Sequence, residues 1–161
     1  MTSPQPAPST TPDPDRPKNA DQAALFDAVA AEHAAIYGYG IVSAHSSPDD
    51  NDLVSEAFAQ HRERREAAVA MLGARSAKPP LPAAGYQLPM VVSSPAEAAA
   101  LAVRMENDCA VAWRAVIEQA STPDDRAFGV TALTECAVLA ARWKQVLHTF
   151  PVTVAFPGGS E

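Results

Sequence analysis

The chain has 161 residues, 47% of them hydrophobic but only 6% aromatic, which suits one domain with a core of Ala, Leu and Val and therefore closely packed helices. A formal charge of -7 and a pI near 5.0 exclude nucleic acid and anionic membrane surfaces as partners, because the counterion-release term is unfavourable. The opening stretch Ser3-Pro4-Gln5-Pro6-Ala7-Pro8 carries no apolar run, so the expected protein is cytoplasmic, with neither a signal peptide nor a membrane-spanning helix.

Residues 1–18 hold six of the fifteen prolines, separated by Ser and Thr, and are expected to form a disordered arm. Helix one follows, from Asn19 or Asp21 to Ala44. Stepping by four and three gives a seam of Leu25, Val29, Glu32, Ile36, Tyr39 and Ser43, with a carboxylate in its middle. Burying that carboxylate costs several kcal/mol unless partners are supplied from elsewhere. Gly38 and Gly40 each cost a helix interior roughly 1 kcal/mol against Ala, which close approach of a neighbouring helix or of the Tyr37 and Tyr39 rings would offset.

The next three helices share one starting device: Ser47-Pro48-Asp49-Asp50, Ser94-Pro95-Ala96-Glu97 and Thr122-Pro123-Asp124-Asp125. A hydroxyl caps the free backbone donors, proline takes the first helical position, and an acid meets the positive helix end. Helix two is expected over Pro48 to Leu72, ended by Gly73. Helix three spans Pro95 to Ala120, and helix four Pro123 to His148, stopped by Phe150-Pro151. Short joints make helices one and two, and three and four, antiparallel hairpins. The proline-rich stretch Ala74 to Ser93 is long enough, at ~3.1 Å per residue, to run the length of the domain and leave helices two and three parallel. The expected fold is all-α: a bundle over residues 19–150 with one long crossover, followed by a flexible tail over 151–161.

The other seams are Val54, Phe58, His61, Arg65, Ala68 and Leu72 on helix two, Ala99, Ala102, Glu106, Cys109, Trp113 and Val116 on helix three, and Phe128, Ala132, Glu135, Leu139, Arg142 and Val146 on helix four. Each helix thus offers a polar group near mid-length: Glu32, His61, Glu106 and Glu135. Cys109 and Cys136 read as buried free thiols, and His33 borders the first seam. His45 and His148 fall near helix ends. Trp113 and Trp143 are packing anchors or part of a dimer surface.

The first helix, Ala31-Glu32-His33-Ala34-Ala35-Ile36-Tyr37-Gly38-Tyr39-Gly40, the block His61-Arg62-Glu63-Arg64-Arg65-Glu66, the crossover piece Tyr86-Gln87-Leu88-Pro89 and the tail Phe156-Pro157-Gly158 resemble the ferritin-like superfamily, and within it an uncharacterised actinobacterial family, DUF4439. The resemblance implies an antiparallel four-helix bundle with metals at mid-height, held by single glutamates and by Glu-x-x-His pairs. Glu32 and Glu106 match the single-glutamate positions, and Tyr39 matches the tyrosine that supports the metal ligands. Helix four departs from that pattern with Glu135-Cys136-Ala137-Val138, and helix two with His61-Arg62-Glu63-Arg64. Three carboxylates and an imidazole, Glu32, His61, Glu106 and Glu135, still form a candidate set for iron or manganese. Against it, Arg65, Arg142 and a protonated His61 already balance Glu32, Glu106 and Glu135 as ion-pair partners, so no cofactor is required. The expected function is a non-catalytic module with a degenerate metal site, acting as a homodimer or with a protein partner through surface around Tyr37, Trp113 or Trp143. The alternative is a divergent iron or manganese oxidase or storage protein.

Overall fold

A computed structural model describes residues 13–159. The first twelve residues of the expected disordered arm, and the last two of the tail, lie outside the described residues. Within the arm's remainder, Asp15 pairs with Lys78 and Arg16 with Asp27.

The described residues are all-helical, with α1 over Ala20–His45, a 3-10 turn over Pro48–Asp50, α2 over Asn51–Ala74, α3 over Pro95–Gln119 and α4 over Pro123–Val146. The expected caps are formed, Ser47, Ser94 and Thr122 each accepting a backbone N–H of the following turn, and Asn19 caps α1 in the same way. Glu97 reaches back to the N–H of Ser93 and the hydroxyls of Ser93 and Ser94, closing the start of α3. The Ser47 device opens the 3-10 turn, and α2 begins only after it. Gly73 does not end α2, which runs on to Ala74; the left-handed conformation beyond it belongs to Ser76, at φ 56°. At the far end α4 stops at Val146, before His148, which is itself left-handed at φ 52°.

Cross-helix contacts fix the directions. Glu32 meets Trp113 and Tyr39 meets Glu106, so α1 and α3 run antiparallel. Three ion pairs, Glu56–Arg142, Arg64–Glu135 and Arg75–Asp125, step in opposite directions along α2 and α4. The crossover between α2 and α3 lies along α1: the Pro80 carbonyl accepts from His33 Nε2 at 3.2 Å, and Tyr86 packs on Tyr37 with ring centroids 5.3 Å apart. Leu88, Met90 and Val92 continue it onto the core.

The apolar core is divided in two. One half gathers Leu25, Phe26, Val29, Leu72, Trp113 and Val116, the other Tyr39, Val42, Leu53, Leu101, Leu139 and Trp143. Between the halves lies a layer of polar side chains. Gly38 earns its place in α1, since a Cβ there would lie 2.1 Å from Met105 Sδ of α3; Gly40 has no such neighbour and its glycine is unexplained by packing. Gly158, at φ 72°, brings the tail onto α3, where a Cβ would stand 2.5 Å from the Ala110 carbonyl. No helix among the described residues is long and apolar enough to cross a membrane.

Candidate functional site

The layer between the two core halves is built around His61, which is fully buried on α2. Its Nδ1 stands 2.6 Å from Glu32 Oε2 of α1 and its Nε2 2.9 Å from Glu106 Oε1 of α3. Both carboxylates are also fully buried. Glu32 Oε1 accepts further bonds from Trp113 Nε1 at 2.7 Å and Arg64 Nε at 3.1 Å. Glu106 Oε1 accepts from the Tyr39 hydroxyl at 2.5 Å, and that hydroxyl accepts from Trp143 Nε1 at 2.9 Å. A continuous chain of hydrogen bonds therefore runs Trp143, Tyr39, Glu106, His61, Glu32, Trp113, drawing on all four helices.

Charge is balanced inside this layer. Burial pushes the His61 imidazolium towards losing its proton, but the hydrogen bonds and charges of Glu106 and Glu32 outweigh that and raise its pKa to about 10. Burial likewise opposes ionisation of Glu32, and His61, Arg64 and Trp113 together hold it below the usual carboxylate range. For Tyr39, burial and then the Glu106 charge push the phenol well above 10, so it acts as a neutral donor. Two carboxylates face one imidazolium and one guanidinium. One oxygen remains unpaired: Glu106 Oε2 is buried without a donor, an arrangement that costs free energy in a folded chain.

Of the sequence-predicted site residues, Glu32, His61, Glu106 and Tyr39 are brought together. Glu135 reaches the layer only from its edge, with its side chain 38% exposed, where it accepts from Arg64 Nη1 at 2.9 Å. The predicted arginine partners are not there. Arg65 lies outward and pairs with its neighbour Glu66, while Arg142 pairs with Glu56 near the surface. The buried cation is Arg64, three residues after His61 instead of four, a step the helix allows equally well. On α4 the buried row is Gly129, Ala132, Cys136, Leu139, Ala140 and Trp143, turned by one position from the expected seam. The large area of Trp143 decides that rotation over the amphipathic Arg142. Trp113 and Trp143 are wholly buried within the chain and offer no surface to a partner. Tyr37 is 41% exposed.

Both thiols are buried, as expected. Cys109 sits one helical turn beyond Glu106 and donates towards the Ala31 carbonyl at 3.8 Å. The Cys136 thiol beside it, then burial, hold Cys109 protonated well above the ordinary thiol range. Glu32, His61 and Cys109 each present a ligand atom, all within 4.8 Å of one another. That group could hold a metal ion, and sequence reasoning missed the thiol in it, although Cys109 falls on the same seam as Glu106. A cavity of about 200 Å³ between α2 and α4, lined by Gln60, Glu63, Arg64, Phe128, Thr131 and Glu135, reaches the edge of the layer at Arg64.

The two broken Glu-x-x-His pairs noted in the sequence are occupied here by ion-pair chemistry, with His61 and Arg64 on α2 and Glu135 on α4 bonded to one another or to Glu32 and Glu106. His61 turns both ring nitrogens to carboxylates, and Arg64 stands 3.1 Å from Glu32 and 2.9 Å from His61 Nδ1, so its charge opposes a cation added there without loss of protons by ~4 kcal/mol per unit pair at ~4 Å and an effective dielectric near 20.

Comparison with known proteins agrees with the all-helical architecture without naming an activity. The chain is 63% identical, with a TM-score of 0.80, to a crystal structure of a conserved hypothetical protein, rv2844, from Mycobacterium tuberculosis; the match covers 81% of this chain and 99% of that one. No curated protein matches. A family model described as a domain of unknown function, DUF4439, matches residues 24–161, and the chain belongs to that family.

Proposed function

We propose that the chain is a non-catalytic, cytoplasmic helical module with a ferritin-like bundle architecture, in which protein ion pairs have replaced a metal cage, and that it works by association with a second copy or a protein partner. The ferritin-like reading is supported by the helix order, the crossover along α1 and the polar layer at mid-height. One observation carries the non-catalytic reading: every charged group of the layer meets an opposite charge of the protein itself, with Arg64 bridging Glu32 and Glu135. Such a network sets helix register, because slipping any helix by a turn strands a buried charge.

Association is supported by apolar side chains left exposed on α3, α4 and the tail, among them Val111, Val130, Val138 and Phe156. The iron or manganese reading is tested by titrating chelator-stripped protein with Fe(II) and Mn(II) while following thermal unfolding. A bound ion at ~100 times its dissociation constant stabilises by ~2.7 kcal/mol. The proposal expects no shift; a shift of several degrees with stoichiometric metal overturns it. Light scattering tests association, and a strictly monomeric particle at high concentration removes self-association from the reading.

A further inference from the structure

We propose that the buried layer also takes one thiophilic divalent cation, Zn²⁺, on a carboxylate oxygen of Glu32, a ring nitrogen of His61 and the sulfur of Cys109. This goes beyond the reading above, which sets aside a carboxylate-held iron or manganese ion: here a thiolate ligand takes part, and the protons released on binding offset the ion's charge beside Arg64.

The three ligand atoms come from α1, α2 and α3 and already lie within 4.8 Å of one another, fully enclosed. Around a tetrahedral zinc, with bonds of ~2.0–2.3 Å, ligand atoms stand roughly 3.3–3.8 Å apart, so side-chain movements of about 1 Å close the site. A second observation points the same way. Glu106 Oε2 is a buried carboxylate oxygen with no donor, on a side chain whose other oxygen already bonds His61. It is a buried free acceptor on the residue that bonds His61 Nε2, opposite the Nδ1 that faces Glu32. The sulfur sets the choice of ion: thiolate with imidazole favours zinc over iron(II), manganese or magnesium.

The exchange keeps the centre's charge. Zinc enters with two positive charges, and two protons leave, one from the Cys109 thiol and one from the His61 imidazolium. The layer is neutral before and after. Arg64 keeps its contacts with Glu32 and Glu135, and no oxidant or reductant takes part. A cavity of about 240 Å³ between α1, the crossover and α3 has the proposed ligand Cys109 in its lining, beside Ala31 and Met105.

The test uses the full chain, stripped with chelator and dialysed against micromolar ZnCl₂, with metal analysis of the protein. The expected result is one zinc per chain, with affinity lowered by at least about tenfold in Cys109→Ser and in Glu32→Gln, and within about threefold of wild type in Cys136→Ser. Replacing zinc by Co²⁺ in the wild-type protein is expected to give a thiolate-to-cobalt charge-transfer band, which needs no variant to fold. No stoichiometric zinc, or zinc bound equally by Cys109→Ser with no cobalt–thiolate band, overturns the proposal. Those results leave the metal-cage argument standing. Tight iron(II) or manganese(II) binding that survives Cys109→Ser overturns both.

Discussion

Replacing Arg64 by Leu is the sharpest test of which arginine the bundle buries. Arg64 is 4% exposed and bonds Glu32 through Nε at 3.1 Å and Glu135 through Nη1 at 2.9 Å. Removing it leaves Glu32 with His61 and Trp113 but strips one of two positive charges from a neutral buried layer. Breaking a buried pair from one side costs ~3–5 kcal/mol. The share owed to Glu135 is small, because that carboxylate is more than a third exposed and water replaces the lost partner. Arg65→Leu removes only a contact to the exposed Glu66 and is expected to cost less than ~1 kcal/mol. In a domain of this size the Arg64 loss lowers the melting temperature by roughly 6–20 °C. Urea unfolding followed by circular dichroism measures both variants, with an unchanged m-value as the check on two-state behaviour. Equal losses for Arg64→Leu and Arg65→Leu would refute the placement of the network on the Arg64 side of α2.

The pH dependence follows from His61. Its folded pKa, about 10, is raised above the unfolded value of 6.5, so its contribution is complete below pH 6.5 and disappears as pH rises through 10. Stability should decline across pH 6.5–9 with a slope of at most ~1.4 kcal/mol per pH unit, and His61→Gln should flatten that decline; a flat wild-type profile contradicts the imidazolium. Among the glycines, Gly40→Ala should stabilise by ~0.5–1 kcal/mol, because a Cβ there meets nothing within 4 Å. Gly129→Ala should destabilise by ~1–3 kcal/mol, since its Cβ would lie 2.8 Å from Ile117 Cγ1; denaturation midpoints of the same sign for the two would refute the packing of α3 on α4. Glu135→Ala should cost more than Glu63→Ala in the same assay, by about 1 kcal/mol or less, because only Glu135 pairs with buried Arg64.

How far the sequence discloses this protein differs from helix to helix. The capping devices are local chemistry, and they place the starts of α3 and α4 at Pro95 and Pro123 as observed. The seam of α3 is also legible, since all six predicted positions, Ala99 through Val116, are buried. On α2 and α4 the pattern is ambiguous because adjacent rows offer competing residues, Arg64 beside Arg65 on α2 and Trp143 beside Arg142 on α4. Tertiary partners decide there: Arg64 is drawn in by Glu32, and Trp143 takes the core position by its area. The involvement of the indoles was hidden for another reason, as a tryptophan on an apolar seam reads as packing whether or not its N–H is spoken for.

The chain contains two tryptophans, and each directs its single N–H into the charged layer, Trp113 onto Glu32 and Trp143 onto Tyr39. All indole emission of the native protein therefore originates within hydrogen-bonding distance of the centre, one fluorophore on either flank. Ionisation, occupancy by a cation or local opening of the layer will register optically without a label, and Trp113→Phe and Trp143→Phe will assign the signal to the Glu32 or the Glu106 side.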